Sequence, residues 1–403
     1  MLSNEELRLW LAIRLVPDMS RPRFHALMQR FDTPAKVLGS SARELAQQRG
    51  MDQELARQVL DSPKSALIDR ELELMAAHHV RAVTSHCDDY PANLLQCSAP
   101  PPLLYVRGTL HREDRYSVAL VGSRHATQYG RAVAQQFASR LAQCGITVVS
   151  GFARGVDSAS HQAAISAGGR TLGVLGNGLS VCYPAENRTL EQRVIEHGAL
   201  ITEYPMNTSP DRYNFPERNH VIATLSLGTV VVEAAEKSGA LISAREALDE
   251  NRFVFAVPGD ITRLNSRGAN ALICSGARLV QRPEEILHEM KDVLRGYLRE
   301  ELLDESLASE SDKSKGAVAV TQADGSSTVP SRSQAGTNVV AQLSEEERYV
   351  LGLIQHEPQV FDMLAAQLDP ARITVQRLSV VLFGLEMKRA IRQLPGRCYA
   401  VLS

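Results

Sequence analysis

The sequence lacks the features that mark membrane-spanning, secreted and zinc-clip proteins. It has no run approaching the roughly 18 consecutive apolar residues that a spanning helix requires. Its six cysteines form no C-x-x-C pair and no Cys/His cluster with zinc spacing. The first ten residues include the charged side chains Glu5, Glu6 and Arg8, which argues against a secretory signal. These absences predict a cytoplasmic protein that binds neither a membrane nor a metal.

The chain also lacks an excess of charge of one sign. Its 403 residues include 44 Lys and Arg against 46 Asp and Glu, for a formal net charge of -2. Apolar residues make up 44%, which is ordinary globular composition and excludes fibrous and wholly disordered chains. If the protein binds nucleic acid, the positive charge must therefore be local. The length predicts two or three domains at roughly 150 residues each.

Composition and proline positions divide the chain into predicted parts. Residues 1–85 carry apolar positions at helical spacing and are expected to form a small helical module. Residues 86–115 are a proline-rich connector with one short strand, and 116–295 are an α/β domain. Residues 304–342 contain no aromatic residue and are expected to be a disordered linker. In the last part, Ser344–Glu347 resembles a capping box, and helical patterns are expected at 344–355, 360–368 and 372–390. A Pro-Gly turn between short extended segments follows them, and helices followed by a hairpin indicate a winged-helix-like module in 344–403.

The central part alternates short apolar runs with amphipathic helical segments. Continuous apolar runs are typical of strands buried on both faces, and their alternation with helices predicts a largely parallel sheet with right-handed crossovers. The predicted strands are Val118–Val121, Ile146–Val149, Leu172–Leu175, Ala199–Thr202, Thr229–Val232 and Phe253–Val257.

Glycines and cationic side chains follow these predicted strands. The segments are Gly122–Arg124, Gly151–Gly155, Gly176–Gly178, Phe215–Asn219 and Lys237–Gly239. In an open α/β sheet, ligands bind at the carboxyl ends of the strands, where helix N-termini offer free N–H groups. The pattern therefore predicts an edge of the sheet that holds phosphate. The alternative, turn glycines beside solvated arginines, stays open at this point.

Known catalytic motifs are missing from this edge. The sequence has neither a Walker A loop nor a G-x-G-x-x-G fingerprint, so neither ATP hydrolysis nor a nicotinamide cofactor is supported. No nucleophile elbow is present, and His161 is interpreted as a helix-packing residue. Glu233 ends a buried strand, and it is expected to pair with an arginine of this edge or to act as an acid or base. We expect no cofactor.

Several motifs recur here in a fixed order: Val121–Arg124, Ser150–Asp157, Tyr183–Asn187, Phe215–Asn219, Lys237–Ile242, Pro258-Gly259 and Asn265–Ala277. Through them the chain resembles the DNA-processing protein A family, also called Smf, strongly over roughly 90–285. The resemblance implies an extended Rossmann-like domain, sterile-alpha-motif-like N-terminal helices and no enzymatic activity. It also implies a homodimer that binds single-stranded DNA, protects incoming DNA in natural transformation and loads a RecA-type recombinase.

The resemblance also implies a set of DNA-binding residues. Arg212 is expected to contact a phosphate and Phe215 to stack on a base. Where the family usually reads Arg-Asn-Arg, this chain has Arg218-Asn219-His220, which puts one contact in doubt and would make binding modestly pH-sensitive. The full set is Gly122, Ser123, Arg124, Gly151, Arg154, Asn177, Arg212, Phe215, Arg218, Asn219, Lys237 and Gly239.

Two other functions remain as alternatives. Residues 227–233 echo the end of the loop of related Rossmann-like hydrolases that split nucleoside monophosphates, although the leading glycines of that loop are missing. In that case Glu233 would be catalytic. The second alternative is a pure interaction protein that binds the recombinase without binding DNA.

Overall fold

A computed structural model describes residues 2–298, 344–354, 359–369, 373, 377–378, 381–382, 385, 388, 390–394 and 398–401. The chain forms two compact units, Met1–Ala317 and Val318–Ser403. The expected linker at 304–342 lies outside the described residues, so it stays a prediction together with the other domain boundaries.

The first unit begins with short helices that pack around a single tryptophan. Ser3 and Glu6 form a capping box that starts the first helix, and Trp10 on that helix is only 3% exposed. Its ring lies 5.8 Å from that of Phe24, centroid to centroid. The helices are α1 (Asn4–Arg14), α2 (Arg21–Phe31), α3 (Pro34–Leu38), α4 (Ala42–Leu45), α5 (Gln53–Asp61) and α6 (Leu67–Ala77), with a 3-10 turn at Ser62–Lys64.

A nine-stranded sheet forms the body of this unit, with the strand order β1-β2-β6-β5-β4-β3-β7-β8-β9. The pairs β1–β2 and β2–β6 are antiparallel, and all others are parallel, as the buried apolar runs predicted. The strands are β1 (Val80–Thr84), β2 (Leu103–Gly108), β3 (Ser117–Val121), β4 (Thr147–Ser150), β5 (Thr171–Val174), β6 (Gly198–Thr202), β7 (Gly228–Val231), β8 (Phe253–Ala256) and β9 (Arg278–Leu279).

Helices cover both faces of the sheet. Side chains of α8 and α9 share one hydrophobic cluster with β3, β7 and β8, and those of α11 and α12 share another on the opposite face. The helices are α7 (Ala92–Leu95), α8 (Gln128–Gln143), α9 (Val156–Ser166), α10 (Arg188–His197), α11 (Asn214–Leu225), α12 (Ala240–Asp249), α13 (Leu264–Cys274), α14 (Pro283–Glu289) and α15 (Lys291–Leu294), with 3-10 turns at Arg112–Arg115 and Ala185–Asn187.

Strand β1 is a departure from the prediction, because it falls within the segment that was expected to be helical throughout. It pairs with β2, and the hydrophobic cluster of the N-terminal helices continues into the sheet through Tyr105 and Leu200. The helical segment and the sheet therefore share one core.

The second unit contains α16 (Glu345–Leu353), α17 (Phe361–Ala366) and a three-stranded antiparallel sheet of β10 (Gln359–Val360), β11 (Ile391–Leu394) and β12 (Cys398–Val401) in the order β10-β12-β11. The capping box predicted at Ser344 is present, since its hydroxyl accepts from the Glu347 N–H at 3.2 Å. The third helix expected, at 372–390, lies largely outside the described residues.

Within the described residues, no helix combines the length and the apolar character that crossing a membrane would require. The same part of the chain holds no cluster of three or more His, Cys, Asp or Glu side chains able to bind a metal ion.

Candidate functional site

A cavity of about 560 Å³ lies beside the carboxyl ends of β3 and β7, and we call it the site cavity. Its wall is built from the loop after β3, the start of α11, the loop after β7 and the first turn of α13. This is the edge at which parallel α/β sheets bind ligands. Most of the predicted DNA-binding residues line it, namely Gly122, Ser123, Arg124, Arg212, Phe215, Arg218, Asn219, Lys237 and Gly239.

The other predicted site residues, Gly151, Arg154 and Asn177, do not line the site cavity. The carbonyl oxygen of Gly151 accepts a hydrogen bond from Arg218. Arg154 points to the surface and donates to Glu186 at 2.8 Å. Asn177 is 1% exposed and its side chain donates to the Val181 carbonyl oxygen at 2.7 Å, so it holds its own loop.

A single glycine lets the loops of this edge approach each other. Gly155 has φ of +75°, a conformation that residues with a side chain rarely adopt. A Cβ atom at this position would also collide with the carbonyl oxygen of Ser123. Gly155 therefore allows the start of α9 to pack under the loop after β3.

Cations without carboxylate partners surround the cavity. Arg124, Arg212 and Lys237 are exposed and form no ion pair with the residues that the structure describes. The guanidinium carbon of Arg124 lies 4.7 Å from the centroid of the Phe215 ring, a cation–π contact that leaves its N–H groups available. These three cations can donate hydrogen bonds to a phosphate without first breaking an ion pair.

Arg218 differs from these cations because it is buried. It is 5% exposed, and it donates to the carbonyl oxygens of Gly151 and Val174, the latter at 2.6 Å. Burial lowers the pKa of Arg218 to about 10, and the nearby Asp157 opposes that shift. Burial raises the pKa of Asp157, and Arg218 counteracts it. Arg218 therefore supports the floor of the cavity and places positive charge beneath it.

Aromatic rings accompany the cations at this edge. Phe215 is half-buried, and its ring centroid lies 5.9 Å from that of Tyr183. Tyr213 is 68% exposed, and the Arg212 guanidinium carbon stacks 4.7 Å from its ring centroid. Its neighbours Asp211 and Arg212 are exposed as well, so the ring faces solvent.

Two expectations about titratable residues are corrected. Glu233 pairs with no arginine among the described residues; its carboxylate accepts from the Thr127 N–H at 2.9 Å. His220 does not face the site cavity, and its Nδ1 lies 2.7 Å from the Glu246 carboxylate on α12. His220 thus bonds to α12 and does not line the site cavity.

Comparison with known proteins places these features in a family. The model of DNA recombination-mediator protein A matches residues 81–291, and the model of the DprA winged helix domain matches residues 335–397. Protein Smf of Escherichia coli (strain K12) is 39% identical over 246 residues, which is 61% of this chain and 66% of that protein. Protein Smf of Synechocystis sp. is 29% identical over 405 residues, which is 99% of both chains.

The fold comparison agrees with the sequence comparison. The X-ray structure of DNA processing protein A (DprA) from Streptococcus pneumoniae matches with a TM-score of 0.62 and 28% identity, over 70% of this chain and 97% of that chain. The first family model alone spans more than half of the chain. The chain therefore belongs to the DNA recombination-mediator protein A family, also known as DprA or Smf.

Proposed function

We propose that the protein binds single-stranded DNA in the site cavity and catalyses no reaction on it. The observation that carries this proposal is that exposed cations without an ion pair among the described residues line one cavity together with an aromatic ring at the strand ends. Arg124, Phe215 and Lys237 all line the cavity, and the Arg124 guanidinium group stacks on the Phe215 ring. Single strands are held by cationic grooves that follow the backbone and by aromatic rings on which bases stack.

The aromatic rings favour a single strand over a duplex. In a duplex the faces of the bases are stacked on each other and are not available to Phe215 or Tyr213, whereas a single strand can turn them outwards. The pairs Arg124–Phe215 and Arg212–Tyr213 each combine a guanidinium group for the backbone with a ring for a base. Each pair can therefore bind the phosphate and stack on the base of one nucleotide.

The states of the titratable side chains support a role without catalysis. Asp157 accepts from the Ala153 N–H at 3.2 Å, is buried, and lies against Arg218, so it is not poised to take a proton from a substrate. His161 is fully buried and bonded to Thr171. His161 does not line the site cavity, and Asp157, which does, has its carboxylate engaged by the Ala153 N–H beside Arg218.

The family to which the chain belongs mediates recombination, and we propose that this protein has the same cellular role. The bound strand is incoming DNA in natural transformation, and the protein protects it and loads a RecA-type recombinase onto it. We further propose that the protein acts in the cytoplasm as a homodimer, so that two site cavities hold one strand. The test of this part is the rate at which a RecA-type recombinase displaces a single-strand-binding protein with and without the chain.

An electrophoretic comparison tests the binding itself. The full chain should retard a labelled single-stranded oligonucleotide at concentrations that leave the matching duplex free. The affinity should fall as salt rises, because binding releases counterions from the neutralised phosphates. Equal affinity for both forms, or retardation that does not depend on salt, would overturn the proposal.

A further inference from the structure

A second cavity, of about 390 Å³, lies beside the site cavity and has a different lining. It is bounded by the end of β7, the start of α8 and the first turn of α13. The residues used below are Thr127, Tyr129, Glu233, Gly259 and Ser266, all of which line it. We call it the second cavity. Its chemistry differs from that of the site cavity, because the carboxylates of Glu233 and Asp260 line it, and its one cation, Arg263, lies 3.5 Å from Asp260.

Two buried polar side chains face the second cavity. Glu233 is 3% exposed, and its carboxylate meets the Thr127 N–H at 2.9 Å. Ser266 is 5% exposed, and its hydroxyl makes no hydrogen bond with the residues that the structure describes. A Cβ atom on Gly259 would collide with that hydroxyl, so the glycine leaves the space in front of it open. Because the Ser266 hydroxyl opens onto the cavity and holds no protein group among the described residues, it can bond to a group that enters the cavity.

Tyr129 forms the rim of the second cavity. Its ring is 47% exposed, and its hydroxyl donates to the Pro258 carbonyl oxygen at 2.9 Å, which fixes the ring in place. Burial and the neighbouring Glu233 raise the pKa of Tyr129, so the hydroxyl stays protonated. A fixed, partly exposed ring above two buried polar groups fits a flat ring system with hydrogen-bonding groups on its edge.

The two cavities share a wall. His125 and Asn265 line the site cavity, and the side-chain nitrogen of Asn265 lies 3.5 Å from the His125 carbonyl oxygen. Thr127 and Ser266, which are close to them in the chain, line the second cavity. The Ser123 N–H donates to the Glu233 carbonyl oxygen at 2.7 Å, which joins the two walls. The two cavities are therefore neighbours along the loop after β3.

We propose that the second cavity takes one base of the DNA strand held in the site cavity, and that it selects a base with an exocyclic amino group. This inference rests on the proposed function. A carboxylate rejects phosphate but accepts hydrogen bonds from the amino groups of cytosine, adenine and guanine. Thymine has a single N–H between two carbonyl oxygens, which would face the carboxylate. The Ser266 hydroxyl can donate to the ring nitrogen or carbonyl oxygen beside the amino group.

The test uses the full chain and oligothymidine probes in which a single deoxycytidine is moved along the strand. Binding is followed by fluorescence anisotropy at constant salt. One position should bind tighter than oligothymidine by about tenfold, since the new hydrogen bond is made to a charged group. Glu233→Gln should bring this ratio close to one, and Ser266→Ala should reduce it. Glu236→Gln is the matched control, because Glu236 is exposed and lines neither cavity.

The outcomes separate the possible roles of Glu233. If it serves only to hold the start of α8 through the Thr127 N–H, then Glu233→Gln changes the affinity for both probes equally, and the ratio survives. That result, or the absence of any favoured deoxycytidine position in the wild-type protein, overturns the inference. Failure of the proposed function looks different, because oligothymidine itself would then not be bound.

Discussion

The guanidinium group of Arg218 donates to the carbonyl oxygen of Val174 at 2.6 Å and so ties α11 to the end of β5. The same group donates to Gly151 after β4. One buried side chain thus connects three parts of the sheet edge that lie far apart in the chain. Arg124, by contrast, lies on the surface of the same cavity and holds no backbone group in place.

Replacing Arg218 should damage the fold. Arg218→Ala leaves two carbonyl oxygens without their donor and Asp157 without its nearby cation, so we expect the free energy of unfolding to fall by about 3 kcal/mol. Urea denaturation followed by circular dichroism measures it. Arg124→Ala is the control and should change stability by less than about 0.5 kcal/mol. An Arg218→Ala variant as stable as the wild type would show that these bonds contribute nothing to folding.

Replacing Arg124 or Lys237 should instead damage DNA binding. Each variant, Arg124→Ala and Lys237→Ala, should weaken single-strand affinity and lower the slope of log affinity against log salt by about one. Filter binding over a salt series measures both quantities. Arg57→Ala, an exposed arginine on α5 away from the cavity, is the matched control. Slopes equal to that of the control would contradict the placement of phosphates in the site cavity.

Gly239 offers a way to fill the cavity without disturbing the fold. A Cβ atom there would have only the Asn219 side-chain nitrogen nearby, at 4.0 Å, and its φ of -60° suits any residue. Gly239→Glu should therefore fold normally but bind single-stranded DNA about tenfold more weakly than Gly239→Gln, which has the same shape and no charge. Anisotropy titrations of the two variants give the ratio. Equal affinities would mean that no phosphate comes close to this position.

His161 should make stability depend on pH. Thr171 uses its only hydroxyl hydrogen on the Val148 carbonyl oxygen, so Nδ1 of His161 must donate to Thr171, and its buried Nε2 has no partner in the described part of the chain. Burial lowers the pKa of His161 to about 3. Below about pH 6.5 the unfolded chain takes up a proton that the folded protein refuses, so stability falls as pH falls, until the pH reaches the folded pKa.

The expected size of this effect can be measured. Between about pH 7.5 and about pH 5.5, His161 should remove about 1.4 kcal/mol from the free energy of unfolding. Urea denaturation at both pH values of the wild type and of His161→Gln measures the difference. His288→Gln, which alters an exposed histidine, should retain the wild-type loss. The same pH dependence in all three proteins would refute a neutral, buried His161.

The hydrolase alternative leads to a chemical test. The Glu233 carboxylate meets the Thr127 N–H and lines the second cavity, whereas the exposed cations Arg124 and Lys237 line the site cavity. The carboxylate is thus held by a backbone N–H and does not line the same cavity as those cations. Incubation of the full chain with nucleoside monophosphates should release no free base by chromatography. Release that disappears in Glu233→Gln would establish the alternative.

The predicted strands could be located from the sequence because they are buried on both faces. A strand of this kind, such as β3, is a short continuous run of apolar residues, which is a clear pattern. Strand β1 was missed since only His78 and His79 separate it from α6, with no glycine or proline to mark the change. The two-residue strand β9 is too short to leave a pattern. The winged-helix module could be predicted because its helical patterns are followed by a Pro-Gly turn between short extended segments.

The location of the site could be predicted from the sequence, but the burial of its individual side chains could not. The rule that ligands bind at the carboxyl ends of parallel strands brought Arg124, Arg218 and Lys237 to one edge. Nothing local distinguishes the buried Arg218 from the exposed Arg124, because burial depends on segments distant in the chain, such as Gly151 and Val174 for Arg218. The partner of Glu233 was equally hidden, since the Thr127 N–H lies 106 residues away in the chain.

Strand β1 and the shared core have a consequence for how the protein can be divided. Tyr105 and Leu200 are fully buried beneath the N-terminal helices, and β1 supplies the hydrogen-bonding neighbour of β2. A chain that started at residue 86 would expose these side chains to solvent and leave β2 as an unprotected edge strand. Exposed edge strands pair readily with strands of other molecules. The helical segment is therefore a cover that keeps the sheet from aggregating, and DNA-binding studies on the sheet alone would measure a damaged protein.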